Sequence, residues 1–192
     1  MSQFDPQTYG PVFAPLVDRD RRRPLDAGQP NAAARAALDA LSVEAAFGHT
    51  GVVDRGMAAC CLSGVWLLHD YLDESHAISQ GIETPSGSFW HGIMHRREGD
   101  FSNAKYWFRR VASHPAIEAI GQRAGELAAE RGEERAAKKL VHGGAWDPIA
   151  FVDLCESAVP GGGSTRELCL DIQQAEWELL FDDCYRAATG AG

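Results

Sequence analysis

No stretch of this chain alternates apolar and polar residues with β-branched side chains over the length of a strand, so no strand is expected. Helix starts and stops follow one another instead. Asn31 opens an alanine-rich helix to about Ala40, and Ser42–Phe47 continues it until Gly48. Asp54 caps a long helix predicted to reach about His76, and a break containing Thr84-Pro85-Ser86-Gly87 follows. Ser88–Glu98 ends at Gly99, and Ser102 opens a helix to about Ser113. Pro115 suits the first turn of a helix to about Arg131, and residues 133–141 read as a charged helix. Asp147-Pro148 starts another helix to Val159, and Ser164 with Glu167 forms a capping box for the last, to about Ala188. The expected fold class is all-α, a single-domain helical bundle of about seven to nine helices over residues 31–190. Residues 1–30 are expected to form an irregular N-terminal arm, because prolines at 6, 11, 15, 24 and 30 interrupt them and Asp18–Arg23 is densely charged.

A length of 192 residues suits one core. The net charge of −9 argues against general nucleic-acid binding, which relies on a cationic face. No apolar run is long enough to span a membrane. The start, Met1-Ser2-Gln3-Phe4-Asp5, lacks a basic region followed by an apolar stretch, so a cytoplasmic protein is expected. The five cysteines are odd in number and contain no C-x-x-C pair, which points to buried, reduced thiols.

Five of the seven histidines lie between His69 and Pro115. On the predicted 54–76 helix, His69, Asp73 and His76 fall at i, i+4 and i+7 and so share a face. That stripe borders the apolar Val65, Leu68 and Leu72, a half-buried setting suited to acid–base catalysis. On the next helix His91, His95 and Glu98 repeat the spacing, with Ser88 on the same side. Two histidines four apart can chelate one ion. The residues between them are Gly92-Ile93-Met94, so the glutamate base of the H-E-x-x-H enzymes is missing. If the two stripes face each other, the cofactor expected is a divalent metal: zinc, iron or manganese. Phe89, Trp90, Ile93 and Met94 form an apolar face roughly opposite His91 and His95, which would turn the histidines to water. Arg96 and Arg97, with Arg109 and Arg110 near, match the geometry of a small anionic ligand. The alternative for them is salt bridging.

Residues 88–115 resemble a single tetratricopeptide or Sel1-like helical hairpin. Gly92 stands at the small position of the first helix, Gly99-Asp100-Phe101 at the turn, Ala104 and Phe108 at the packing pair, and Pro115 near the terminal proline. No second copy follows. The segment also looks like part of an uncharacterised helical protein family, which lends no activity. The resemblance implies burial at positions 91 and 95, where apolar residues are usual and this chain has histidine. An unpartnered buried polar group costs about 1–3 kcal/mol, so partners are expected, with His69, Asp73 and Glu98 nearest in sequence.

Two functional readings follow. In the first, the chain is a small-molecule enzyme or ligand-binding protein: His69, Asp73 and His76 are catalytic, His91, His95 and Glu98 hold the metal, and Arg96 and Arg97 hold the substrate's anionic group. In the second, it is a non-enzymatic interaction module whose hairpin binds a partner peptide or its own copy as a homo-oligomer.

Overall fold

The computed structural model describes residues 4–142 and 145–191, the side chain of His142 excepted; Met1–Gln3, part of the polar start read above, lie outside them. Eleven α-helices run through these residues: α1 (Gly10–Val17), α2 (Arg35–Asp39), α3 (Val43–Ala46), α4 (Arg55–Leu68), α5 (Leu72–Ser79), α6 (Pro85–Glu98), α7 (Phe101–Val111), α8 (Ala116–Glu130), α9 (Glu134–Ala137), α10 (Pro148–Ala158) and α11 (Ser164–Thr189). Three of them (α2, α3 and α9) are little more than single turns, and eight are longer. The fold is all-α. Its one extended feature among the described residues is a two-residue antiparallel ladder of β1 (Val141–His142) with β2 (Ala145–Trp146).

Local chemistry sets the boundaries. Asp54 starts α4 by accepting from the Met57 N–H at 3.0 Å. The helix predicted to reach His76 stops at Leu68, because Asp70 takes a left-handed conformation with φ 63°. Aspartate tolerates that region better than most residues. Its carboxylate is fully buried and accepts from Arg97 Nη2 at 2.7 Å and from Arg23. A new helix, α5, then starts on a different axis. The next helix begins at Pro85, three residues before the expected Ser88, since Thr84 Oγ1 accepts from the Gly87 N–H at 3.1 Å and Pro85 fits the first turn. Gly99, at φ 90°, closes it in the left-handed region. Asp100, rather than Ser102, caps α7. The capping box expected at Ser164 is absent: Gly163 is the N-cap, with no side-chain bond.

Within the arm expected over residues 1–30, the stretch 18–30 has bends but no helix or strand. Ahead of it the prolines do not prevent α1: Pro11 sits in the first turn, and Pro15 is carried inside the helix. Phe13 and Val17 of α1 are completely buried in the main core.

That core is organised around α4, against which α5, α6 and α11 pack. Trp177 of α11 donates its indole N–H to the Gly64 carbonyl at 2.9 Å. A Cβ at Gly64 would lie 2.8 Å from the Trp90 ring. Gly64→Val is therefore expected to cost about 1–3 kcal/mol by overpacking, read as a shift in the urea midpoint with an unchanged slope. On α6, a Cβ at Gly92 would meet the Phe108 ring of α7 at 3.0 Å, so glycine permits the close approach of these two helices. All five cysteines are buried and unbridged. Glu178, Asp182 and Asp183 of α11 are each half-buried and partnered. Glu178 binds Arg21 Nε at 2.6 Å, Asp182 accepts from the Tyr9 hydroxyl at 3.1 Å, and Asp183 lies 3.7 Å from His114 Nε2.

Candidate metal centre

Helices α5, α6 and α7 bring three imidazoles together. His76 comes from α5, and His91 and His95 from adjacent turns of α6. One ring nitrogen from each lies within 4.8 Å of the other two. Ring centroids stand 4.6 Å apart for His76 and His91, 4.7 Å for His91 and His95, and 5.3 Å for His76 and His95. His91 and His95 are 1% and 5% exposed, so both are buried and not turned to water, while His76 is half-buried.

Their neighbours orient the rings. His91 Nδ1 bonds Ser79 Oγ at 3.0 Å, which leaves Nε2 free to ligate, and Trp107 packs on the ring at 4.0 Å between centroids. His95 Nδ1 bonds Glu98 Oε2 at 2.9 Å. The carboxylate accepts the Nδ1–H and so fixes the tautomer, leaving the lone pair on Nε2. Asn103 Nδ2 donates to that Nε2 at 3.0 Å, and an ion on His95 would take the place of this amide. Burial, then the nearby His95 and His76, pushes the His91 imidazole down to about 3. It is neutral across the physiological range, the form a metal requires.

The other sequence-derived sites fall elsewhere. His69 caps the end of α4, and the break at Asp70 removes it from the face of His76. Its Nε2–H donates to the Leu16 carbonyl at 2.9 Å, while Nδ1 accepts from Arg19 at 2.9 Å and Asn31 at 3.0 Å. It clips the N-terminal arm to α4. Asp73 is exposed on the first turn of α5. The triad His69, Asp73 and His76 is therefore not assembled. Glu98 is half-exposed and stands behind His95 rather than beside His91. Arg96 and Arg97 do bind carboxylates, but those of the protein itself. Arg96 is fully buried on Glu176; Arg97 is buried on Asp70 and the carbonyls of Leu67, Pro24, Asp26 and Ala27. Burial closes both guanidinium groups to a substrate. Arg109 and Arg110 are exposed, Arg110 lying over the rings of Tyr106 and Trp107.

Ser79, Asn103 and Trp107 escaped the sequence reading. The available pattern was helical spacing: Ser79 is three residues after His76, and Asn103 and Trp107 are four apart on α7. A further set joins the buried Ser86 and His114 to the half-buried Asp183. It is not a nucleophilic triad. The Ala116 N–H donates to His114 Nδ1 at 3.1 Å, so the ring proton sits on Nε2 and faces Ser86 Oγ at 2.9 Å. A serine nucleophile needs the opposite tautomer.

The His69 clip makes stability depend on pH. Burial lowers the His69 pKa, with Arg19 and Arg23 adding to the effect against the opposing Leu16 carbonyl and Asp70. A depressed histidine stabilises the fold fully above its unfolded value near 6.5, and that contribution is lost as pH falls toward the folded value. Protonation at Nδ1 would also set the ring against two donors. Unfolding free energy is expected to drop by up to about 2 kcal/mol per such histidine between pH 7 and pH 5, measured by urea titration without metal.

No helix among the described residues is long and apolar enough to cross a membrane. Comparison with protein-family models, with curated proteins and with solved structures finds no match.

Proposed function

We propose that the protein binds one divalent transition metal through His76, His91 and His95 and uses it in small-molecule chemistry. The observation that carries this reading is the convergence of three imidazoles, two of them buried. Nothing in a helical core requires three adjacent imidazoles, and their mutual repulsion when charged works against such a grouping. Neutral nitrogen donors suit zinc or iron better than manganese, which prefers oxygen. Glu98 on His95 supplies the carboxylate–histidine pairing that raises ligand basicity. A tetrahedral zinc holds its nitrogens about 3.3 Å apart, so rotations of the rings and release of Asn103 would close the set.

A zinc held by His76, His91 and His95 would act as a Lewis acid and could activate water near neutral pH. This is the arrangement of hydrolytic and hydration catalysts, and the half-buried His76 places it at the protein's rim, where a small molecule can reach it. The test is zinc titration of metal-free protein against a chromophoric chelator at pH 7. One zinc per chain is expected for the wild type, and none of comparable affinity for His91→Ala. Equal zinc uptake by both proteins would remove the proposal.

A further inference from the structure

A second candidate site lies away from the three histidines and shares no residue with them. It is a groove of about 770 Å³ between α1 and α2, within the roughly 300–1,000 Å³ usual for small-ligand sites. Its walls are short and apolar: Pro11, Val12 and Pro15 on one side, Ala33, Ala37 and Ala40 on the other. One end is polar, formed by Arg19, Asn31 and His69, with Asp20 at its edge.

Arg19 differs from the other arginines of its run. Arg21 pairs with Glu178, Arg22 with Glu167 and Asp171, and Arg23 with Asp70. Among the described residues Arg19 has no carboxylate within ion-pair distance, and its one hydrogen bond donates to His69 Nδ1. Asn31 donates to the same nitrogen, so the histidine holds both side chains at the end of the groove. Its remaining guanidinium N–H groups make no hydrogen bond or ion pair among the described residues, although Asp70 and Asp20 act on its charge from farther off. His69 itself offers no proton there, since its Nε2–H is committed to the Leu16 carbonyl.

We propose that this groove binds an amphiphilic monocarboxylate, its head on Arg19 and its hydrocarbon chain along the proline and alanine walls. The guanidinium fork matches a carboxylate in two N–H···O bonds, and the alanines leave the width that an alkyl chain fills. Burial, then the neighbouring Arg23, weakens the hold of Arg19 on its proton against the opposing Asp70 and Asp20, and a bound anion would work in the same sense as those carboxylates. Asp20 disfavours an anion, but its carboxylate is engaged with the Arg22 backbone N–H at 2.9 Å.

The probes are sodium octanoate, sodium decanoate and 1-decanol, titrated calorimetrically below their aggregation concentrations. Affinity is expected to rise roughly fourfold per methylene between the two acids. Decanol is expected to bind roughly tenfold more weakly than decanoate, for want of the charge-assisted bond. Arg19→Gln should reduce decanoate to the level of decanol. Ala37→Phe, an exposed substitution that fills the groove, should abolish binding of both without moving the melting temperature. Asp20→Asn should tighten decanoate two- to threefold. The inference is overturned if the wild type does not bind decanoate at millimolar concentration, if Arg19→Gln binds it as well as the wild type, or if chain length has no effect.

Discussion

Glu176→Leu is expected to destabilise the protein by about 3–5 kcal/mol, the range for stranding one partner of a buried ion pair. Both side chains are fully buried. Arg96 Nη1 donates to Glu176 Oε1 at 3.2 Å, and Nη2 to Oε2. The guanidinium lies 4.6 Å from the centre of the Phe151 ring, and its Nε has no acceptor among the described residues. Removing the carboxylate leaves a cation with an aromatic ring as its main remaining electrostatic partner. The double variant Arg96→Met/Glu176→Leu removes the charge as well and is expected to recover most of the loss, because an apolar pair of similar volume substitutes well for a buried salt bridge. Urea denaturation of the three proteins reads both effects. A Glu176→Leu cost below about 1 kcal/mol would mean that water reaches Arg96 and that the buried pair is wrongly described.

His91→Ala is expected to weaken zinc binding by a factor of about 100 or more. A structural zinc site of four ligands gains roughly 10–16 kcal/mol, so each ligand carries several kilocalories per mole. His76→Ala should act similarly. Glu98→Gln should lose only about 10–100-fold, the usual effect of a residue that orients a ligand without touching the metal. Asn103→Ala moves in the opposite sense: its amide occupies His95 Nε2 in the metal-free protein, so removing it should tighten zinc. Chelator competition orders the four variants. An order in which Glu98→Gln is as damaging as His91→Ala would place the carboxylate on the metal instead of behind His95.

The helical class was legible because helix punctuation is local chemistry. Asp54, Gly99 and Asp147-Pro148 each act within a turn of their own position. What misled was long-range. Asp70 breaks the 54–76 helix without a glycine or proline to announce it, since the left-handed turn is held by Arg23 and Arg97, 47 and 27 residues away in the chain. That one residue separates His69 from His76 and dissolves the expected catalytic face. Part of the imidazole cluster was readable, since His91 and His95 keep their spacing and are buried. His76 was grouped with His69 and Asp73 instead, and Glu98 bonds His95 at Nδ1. The salt-bridge alternative for Arg96 and Arg97 could not be given its partners, because Glu176 and Asp70 come from distant segments. Arg97 also gathers backbone carbonyls, which no side-chain pattern records.

A metal ion held by His76, His91 and His95 would carry a distinct ligand count. Zinc-edge X-ray absorption on the wild-type protein loaded with one equivalent of zinc reads it, because the fine structure counts imidazole ligands. Three nitrogen donors from histidine at about 2.0–2.1 Å and one light solvent donor are expected. A spectrum with fewer than two imidazoles, with thiolate sulfur at about 2.3 Å, or unchanged in His91→Ala would contradict that coordination.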